Sequence, residues 1–195
     1  MLELKAWQLR MAVRALRAGG VVAYPTEAVY GLGCDPFNER AALRLLTIKG
    51  RAMDQGLILI AANHQQLKPL LRSQPDDTMA PVLASWPGPS TWILPAAARV
   101  PVWLTGGSDC IAVRVTAHSL AAGLCECFGG PLVSTSANAS GRPPARTALQ
   151  ARRALGARVD YFLTGATGGA AGPSEIRDAR DGRLLRAGRG GGAMP

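Results

Sequence analysis

Metal and redox chemistry have little to work with in this chain of 195 residues, which carries only two histidines and four cysteines. Cys34, Cys110, Cys125 and Cys127 form no C-x-x-C pair. Cys125 and Cys127 stand two apart in a predicted helix, where such neighbours do not share a face, so no structural metal is expected and the thiols read as buried and reduced. No apolar run approaches the roughly 20 residues that span a bilayer. The opening MLELKAWQLRMAVRALRAGG is charged and amphipathic and lacks the apolar centre of a signal peptide. The chain is therefore expected in the cytoplasm, with no membrane partner, and the triplet Asn138-Ala139-Ser140 loses its meaning as a glycosylation signal. Aromatic residues are 5% of the chain and form no base-stacking motif of the RNA-recognition type. G-x-x-x-x-G-K-[ST], G-x-S-x-G and H-E-x-x-H are all missing, so a nucleotide site, if present, has to be built another way. The run from Gly188 to Ala193 imitates a dinucleotide fingerprint but has no helix after it.

What is present reads as one globular domain. Hydrophobic residues make up 48% and the mean hydropathy is +0.09, and the length suits one well-buried core better than two. The net charge is +9 with a pI near 10.3, which points to a polyanionic partner such as nucleic acid or a nucleotide. Arginine supplies nearly all of it: Lys5, Lys49 and Lys68 are the lysines among 22 basic side chains. Such a bias also arises from base composition of a genome, which leaves the charge ambiguous and makes Lys49 stand out.

Periodicity gives alternating elements. A helix over 6–18 stops at Gly19-Gly20. A short strand, VVAY, is ended by Pro25. Asn38 caps a helix that stops near Gly50. LILIAA at 57–62 is continuously apolar, as suits a central strand covered on both faces. Helices near 64–72 and 76–85, strands near 91–95 and 110–115, and a helix near 118–128 come next. PLVST and DYFLT read as strands on either side of a helix at 147–155. SEIRDARDGRLLRAG reads as a hairpin turning at Asp181-Gly182. The expected class is α/β, a single open twisted mixed sheet flanked by helices, with GATGGAAG at 165–172 as a mobile loop and 188–195 as an unstructured tail.

Polar clusters fall at the ends of apolar strands, where α/β folds place ligands. YPTEAVYGLGCD at 24–35 reads as a Pro-Gly loop that offers Thr26 and Glu27. IKGR puts Lys49 and Arg51 together at a helix end, where solvated cations are also common. Arg114 interrupts the apolar strand IAVRV and needs a partner, either a protein carboxylate such as Asp35 or Asp109 or an anionic ligand. LVSTSANASG spends Ser134, Thr135, Ser136, Asn138 and Ser140 on one segment. Such groups bond phosphate or ribose oxygens without adding charge, and they cap helices and turns as well.

Taken in order, YPTEAVYGLGCDP, IKGR, GLILIAAN, WPGPST, IAVRVT, LVSTSANASG and GPSEIRD resemble the YrdC-like threonylcarbamoyl-AMP synthase family, in its short bacterial TsaC type, over residues 6–187. The resemblance implies one YrdC-like domain over 1–187 curving around a basic concave cavity, without the second domain of the longer branch. It implies a reaction in which L-threonine, bicarbonate and ATP, with Mg²⁺ accompanying the nucleotide, yield threonylcarbamoyl-AMP and pyrophosphate. The product then feeds a tRNA threonylcarbamoyl transferase complex. By similarity Lys49, Arg51, Ser136 and Asn138 hold the nucleotide, with Lys49 and Arg51 catalytic. Arg186 reaches the nucleotide from the last hairpin, and Thr26, Arg114, Ser134 and Ser174 contact threonine. Three positions depart from the family pattern. Ala52 stands for a proline, Gly56 for a histidine near the threonine pocket, and Ser90 for an apolar residue. Two rival readings stay open: a non-catalytic module that binds structured RNA through phosphate contacts, and an ATP-dependent ligase of another amino acid.

Overall fold

Glycines and prolines punctuate this sequence, and the elements obey that punctuation in a computed structural model that describes residues 2–139 and 141–188. Ser140, and all of the expected tail beyond Gly188, lie outside the described residues. Helix α1 (Leu2–Arg17) ends before Gly19, whose φ of +77° only glycine adopts freely. Strands β1 (Val22–Pro25) and β2 (Tyr30–Gly33) come after it. In α2 (Glu39–Lys49) the Asn38 side chain accepts from the Ala41 amide and Gly50 closes the C-terminus in the left-handed region.

Strand β3 (Ile58–Ala61) leads to a break in the helix expected over 64–72. Only α3 (His64–Leu67) is α-helical, and a 3₁₀ turn (Lys68–Leu70) takes over, because Pro69 has no amide to donate. Then come α4 (Asp76–Ala84), β4 (Ser90–Pro95), the short α5 (Val102–Thr105) that no pattern announced, β5 (Cys110–Val115) and α6 (Ser119–Phe128). The chain finishes with β6 (Leu132–Ser136), α7 (Ala148–Leu155), β7 (Tyr161–Phe162), β8 (Glu175–Asp178) and β9 (Leu184–Arg186).

The strands form one mixed sheet in the order β7-β1-β2-β6-β3-β5-β4-β8-β9. β3 is parallel to β5 and β4 to β8, whereas β6 runs antiparallel to both β2 and β3. β3 is the middle strand. Leu59 and Ala61 join the larger apolar cluster with Leu45 and Val113, and Ile60 points the other way into a cluster with Leu16 and Leu124. Both faces are covered, as the unbroken apolar run predicts. The final hairpin turns where expected, with Gly182 at φ +71°.

The loop expected over 24–35 is in part a strand. Gly31 and Gly33 hide β2, because glycine weakens a strand pattern in sequence. In the fold a Cβ at Gly33 would stand 2.3 Å from the Val133 carbonyl oxygen and 2.8 Å from the Tyr24 ring. The glycine is what lets Tyr24 lie across β2 and donate its hydroxyl proton to Val133 O at 3.1 Å.

Candidate functional site

The antiparallel insertion of β6 between β2 and β3 brings the end of its hydroxyl run beside the turn after β1 and the C-terminus of α2. A cavity of about 360 Å³ opens there. Lys49, Arg51, Ser136, Asn138 and Arg186 all line it, and so do Thr26, Arg114, Ser134 and Ser174. Every residue assigned to the site by resemblance is thus gathered into one wall, from positions as far apart as 26 and 186. Among the described residues neither His nor Cys lines it, and Glu27 is the one carboxylate among four cationic side chains.

Arg114 corrects one expectation. Its partner is neither Asp35, which accepts from the Phe37 amide, nor Asp109, which pairs with Arg72. It is Glu27, whose Oε2 lies 3.2 Å from Arg114 Nη2. The contact is an ion pair without hydrogen-bond alignment, so Glu27 Oε2 and Arg114 Nε stay buried without hydrogen-bond partners. Glu27 Oε1 is fixed by the Thr116 hydroxyl at 2.7 Å and the Ala117 amide at 3.1 Å. Burial alone would raise the Glu27 pKa, but the Arg114 charge and the Thr116 hydrogen bond outweigh it and hold the carboxyl below its ordinary value.

Lys49 is buried at the end of α2, and its ammonium faces oxygens of Ser136 and Asn138. Burial, with the Arg51 charge adding to it, pulls its pKa down to about 8. Arg51 donates to Gln55 O at 2.9 Å and keeps a buried Nε without a partner. Arg186 grips the Ser174 carbonyl through Nη2 (2.9 Å) and Nε (3.2 Å), and the Ser174 hydroxyl meets that of Thr91 at 2.9 Å. Burial lowers the Arg186 pKa, and the charges of Arg114 and Arg51 lower it further. Arg186 thus carries an electrostatic cost from two neighbouring guanidiniums, which an anionic ligand would relieve.

The glycine-rich stretch at 165–172 runs along this cavity and is held to the turn after β1 by hydrogen bonds. Gly165 bonds the Tyr30 hydroxyl through both its amide and its carbonyl. Gly168 N donates to Thr26 O and Ala170 N to Glu27 O, and Ala170, Gly172 and Pro173 join the lining. A Cβ at Gly168 would stand 3.0 Å from the Glu27 carbonyl oxygen, so close approach and not flexibility explains that glycine. Two unexplained positions also gain a reason. Ser90 donates to Glu175 Oε1 at 3.0 Å and ties β4 to β8. Gly56, at φ +60°, packs against the Leu104 and Thr105 carbonyls and does not line the cavity.

Chemically, such a cavity positions anions and offsets charge as it develops. Among the described residues it holds no Ser–His or Cys–His pair, since neither His nor Cys lines it. Among the described residues no group of three His, Cys, Asp or Glu could hold a metal ion, and Glu27 is already engaged by Arg114, so the donor set does not fit a protein-held cation. No described helix is long and apolar enough to cross a membrane.

An α/β domain with cations and hydroxyls gathered at strand ends is that of a nucleotide- or anion-binding enzyme. Residues 14–188 match the Sua5/YciO/YrdC family, described as "Telomere recombination". The threonylcarbamoyl-AMP synthases of Nitrosococcus oceani and Halorhodospira halophila are 56% and 55% identical over 92% and 93% of this chain, and over 97% and 95% of their own. Sua5 of P. abyssi, whose structure was determined with L-threonine, superposes with a TM-score of 0.87 at 35% identity over 93% of this chain, which spans 54% of that longer one. E. coli YciO superposes with a TM-score of 0.82 at 26% identity, covering 94% of this chain and 90% of its own. The chain belongs to the Sua5/YciO/YrdC family.

Proposed function

We propose that this protein is a threonylcarbamoyl-AMP synthase, a nucleotidyltransferase that makes threonylcarbamoyl-AMP and pyrophosphate from L-threonine, bicarbonate and ATP for tRNA modification. The observation that carries the reading is the convergence of Thr26, Lys49, Arg51, Arg114, Ser134, Ser136, Asn138, Ser174 and Arg186 on one cavity, in a chain 56% identical to an enzyme of that name.

The chemistry asks for what the cavity has. The threonine amine adds to the carbon of bicarbonate and water leaves, giving a carbamate. A carbamate oxygen then attacks the α-phosphorus, the bond from that phosphorus to the bridging oxygen breaks, and pyrophosphate departs. The carbamate is itself the nucleophile, so no Ser or Cys attack is needed. The site has to align two anions and offset charge on the leaving group. Arg51 and Arg186 suit the phosphates, Ser136 and Asn138 the adenylate, and Lys49 stands at their junction. Arg114 suits the threonine carboxylate through two parallel N–H bonds, with Thr26, Ser134 and Ser174 around it. Mg²⁺ enters with the triphosphate as part of the substrate. The mixed anhydride product is reactive and passes to a tRNA threonylcarbamoyl transferase complex. The surplus positive charge supports weak, salt-sensitive contact with tRNA, and the protein works in the cytoplasm as one domain over 1–187.

Pyrophosphate release decides the matter. Purified protein with Mg²⁺ releases it from ATP only when threonine and bicarbonate are both present. Equal release with serine, or without bicarbonate, overturns the assignment.

A further inference from the structure

Lys49 is 6% exposed, and its ammonium is enclosed by four oxygens of a single segment. Ser136 O lies at 2.6 Å, Ser136 Oγ at 3.2 Å, Asn138 O at 2.8 Å and Asn138 Oδ1 at 2.6 Å. An ammonium has three protons and no more to offer, so these acceptors occupy it fully. The oxygens also belong to a wider network. Ser136 Oγ donates to Asn138 Oδ1 at 2.6 Å, and Asn138 Nδ2 donates to Arg142 O. Ala137 N donates to Tyr30 O at 2.7 Å, which pins the segment on the start of β2.

The cavity's one carboxylate, Glu27, is engaged by Arg114 and Thr116, so these oxygen dipoles alone compensate the buried Lys49 charge. A phosphate oxygen could accept a hydrogen bond from Lys49 only by displacing one of them. Arg51, two residues on, differs: among the described residues its Nε has no partner, and its one hydrogen bond is to Gln55 O.

We propose that Lys49 is a positioning residue: it wraps the Ser136–Asn138 segment around its ammonium so that the segment meets the nucleotide, and Arg51 is the member of the pair that faces the phosphates. The proposal rests on the reading of the cavity as an ATP site. Lys49 then acts on adenylate binding as a whole and does not discriminate by the number of phosphates.

The test is calorimetric titration of AMP and ATP into wild-type protein and the variants Lys49→Met, Lys49→Arg and Arg51→Ala, with hydrogen exchange monitored across 137–142. Lys49→Met weakens AMP and ATP by the same factor, about tenfold or more, and the Ala137, Asn138 and Arg142 amides lose protection. Lys49→Arg does not rescue, because a planar guanidinium cannot occupy a pocket closed around a compact ammonium. Arg51→Ala weakens ATP about tenfold more than AMP. A loss confined to ATP in Lys49→Met, or rescue of ATP binding by Lys49→Arg, overturns the positioning role and leaves the nucleotide site standing. Absence of AMP and ATP binding in the wild type overturns the nucleotide reading itself. If the Lys49 variants fail to fold, the wild type supplies the test. Relative to sheet amides, protection of the Ala137, Asn138 and Arg142 amides falls as pH rises and the enclosed ammonium loses its proton, a loss that burial and Arg51 bring below the ordinary lysine range; protection unchanged up to the ordinary lysine value of 10.5 overturns the proposal.

Discussion

Arg114 and Glu27 face each other across 3.2 Å with side chains 9% and 14% exposed, at the junction of β5 and the turn after β1. Glu27 spends its hydrogen bonds on Thr116 and Ala117 and offers Arg114 only charge. The arginine is therefore neutralised without having its N–H groups consumed, which leaves them for a ligand carboxylate.

Arg114→Lys raises the threonine requirement by about tenfold or more, because an ammonium cannot reproduce a two-pronged grip on a carboxylate. ATP affinity stays nearly unchanged. Glu27→Ala leaves a buried cation unpaired and costs about 3–5 kcal/mol in denaturant unfolding. Unaltered threonine dependence in folded Arg114→Lys would show that the arginine serves the fold alone.

Acid titration carries a defined sign. The Glu27 carboxyl titrates below its ordinary 4.5. Its contribution to stability is therefore complete above 4.5 and is lost as pH falls through the lower folded value. Glu27→Gln removes that slope, and equal acid sensitivity in variant and wild type would sink the coupling.

For Lys49 the signs of stability and turnover separate. Its folded pKa of about 8 lies below the ordinary 10.5. Between the two, the unfolded chain holds a proton that the folded chain has released, so this group's contribution to stability rises with pH. Turnover falls over the same window as the ammonium loses the proton that gathers Ser136 and Asn138. Melting and rate profiles that move together would contradict this.

Legibility in the sequence varied with the kind of interaction. Repeats of apolar residues marked the longer helices and the middle strand, since burial on one or two faces leaves a periodic trace. β2 left none, because its glycines answer to Tyr24 and Val133, which reach it only after folding. The hydroxyl and cation clusters were visible as residue types in a family order. Their wiring was not: nothing in the chain distinguishes Glu27 from Asp35 or Asp109 as the mate of Arg114, and nothing shows that Lys49 turns its ammonium onto a segment 87 residues away. The second of these pairings is set by the antiparallel placement of β6 and the first by where β5 stands in the sheet, properties of the sheet and not of any window of sequence.

Arg51→Ala costs about 2–4 kcal/mol of transition-state stabilisation, as removal of one preorganised charge donor does. The melting temperature hardly moves, since Arg51 gives the protein a single hydrogen bond to Gln55. Normal turnover would make it a solvated surface charge.

Gly56→Ala destabilises by about 1 kcal/mol or more, through a φ of +60° and a Cβ 3.1 Å from the Leu104 carbonyl oxygen. Because Gly56 lies outside the cavity wall, the folded fraction retains its threonine dependence. A raised threonine requirement would instead give this position a part in the site.

Arg186 arrives on β9, the edge of the sheet, and Thr26 comes directly after β1 near the other edge. No single stretch of the chain therefore contains a competent cavity, and nucleotide has nothing to grip until both ends of the sheet are in place. It stabilises the protein as any ligand of the native state does, and it does so by retarding unfolding while the rate of folding stays as it was.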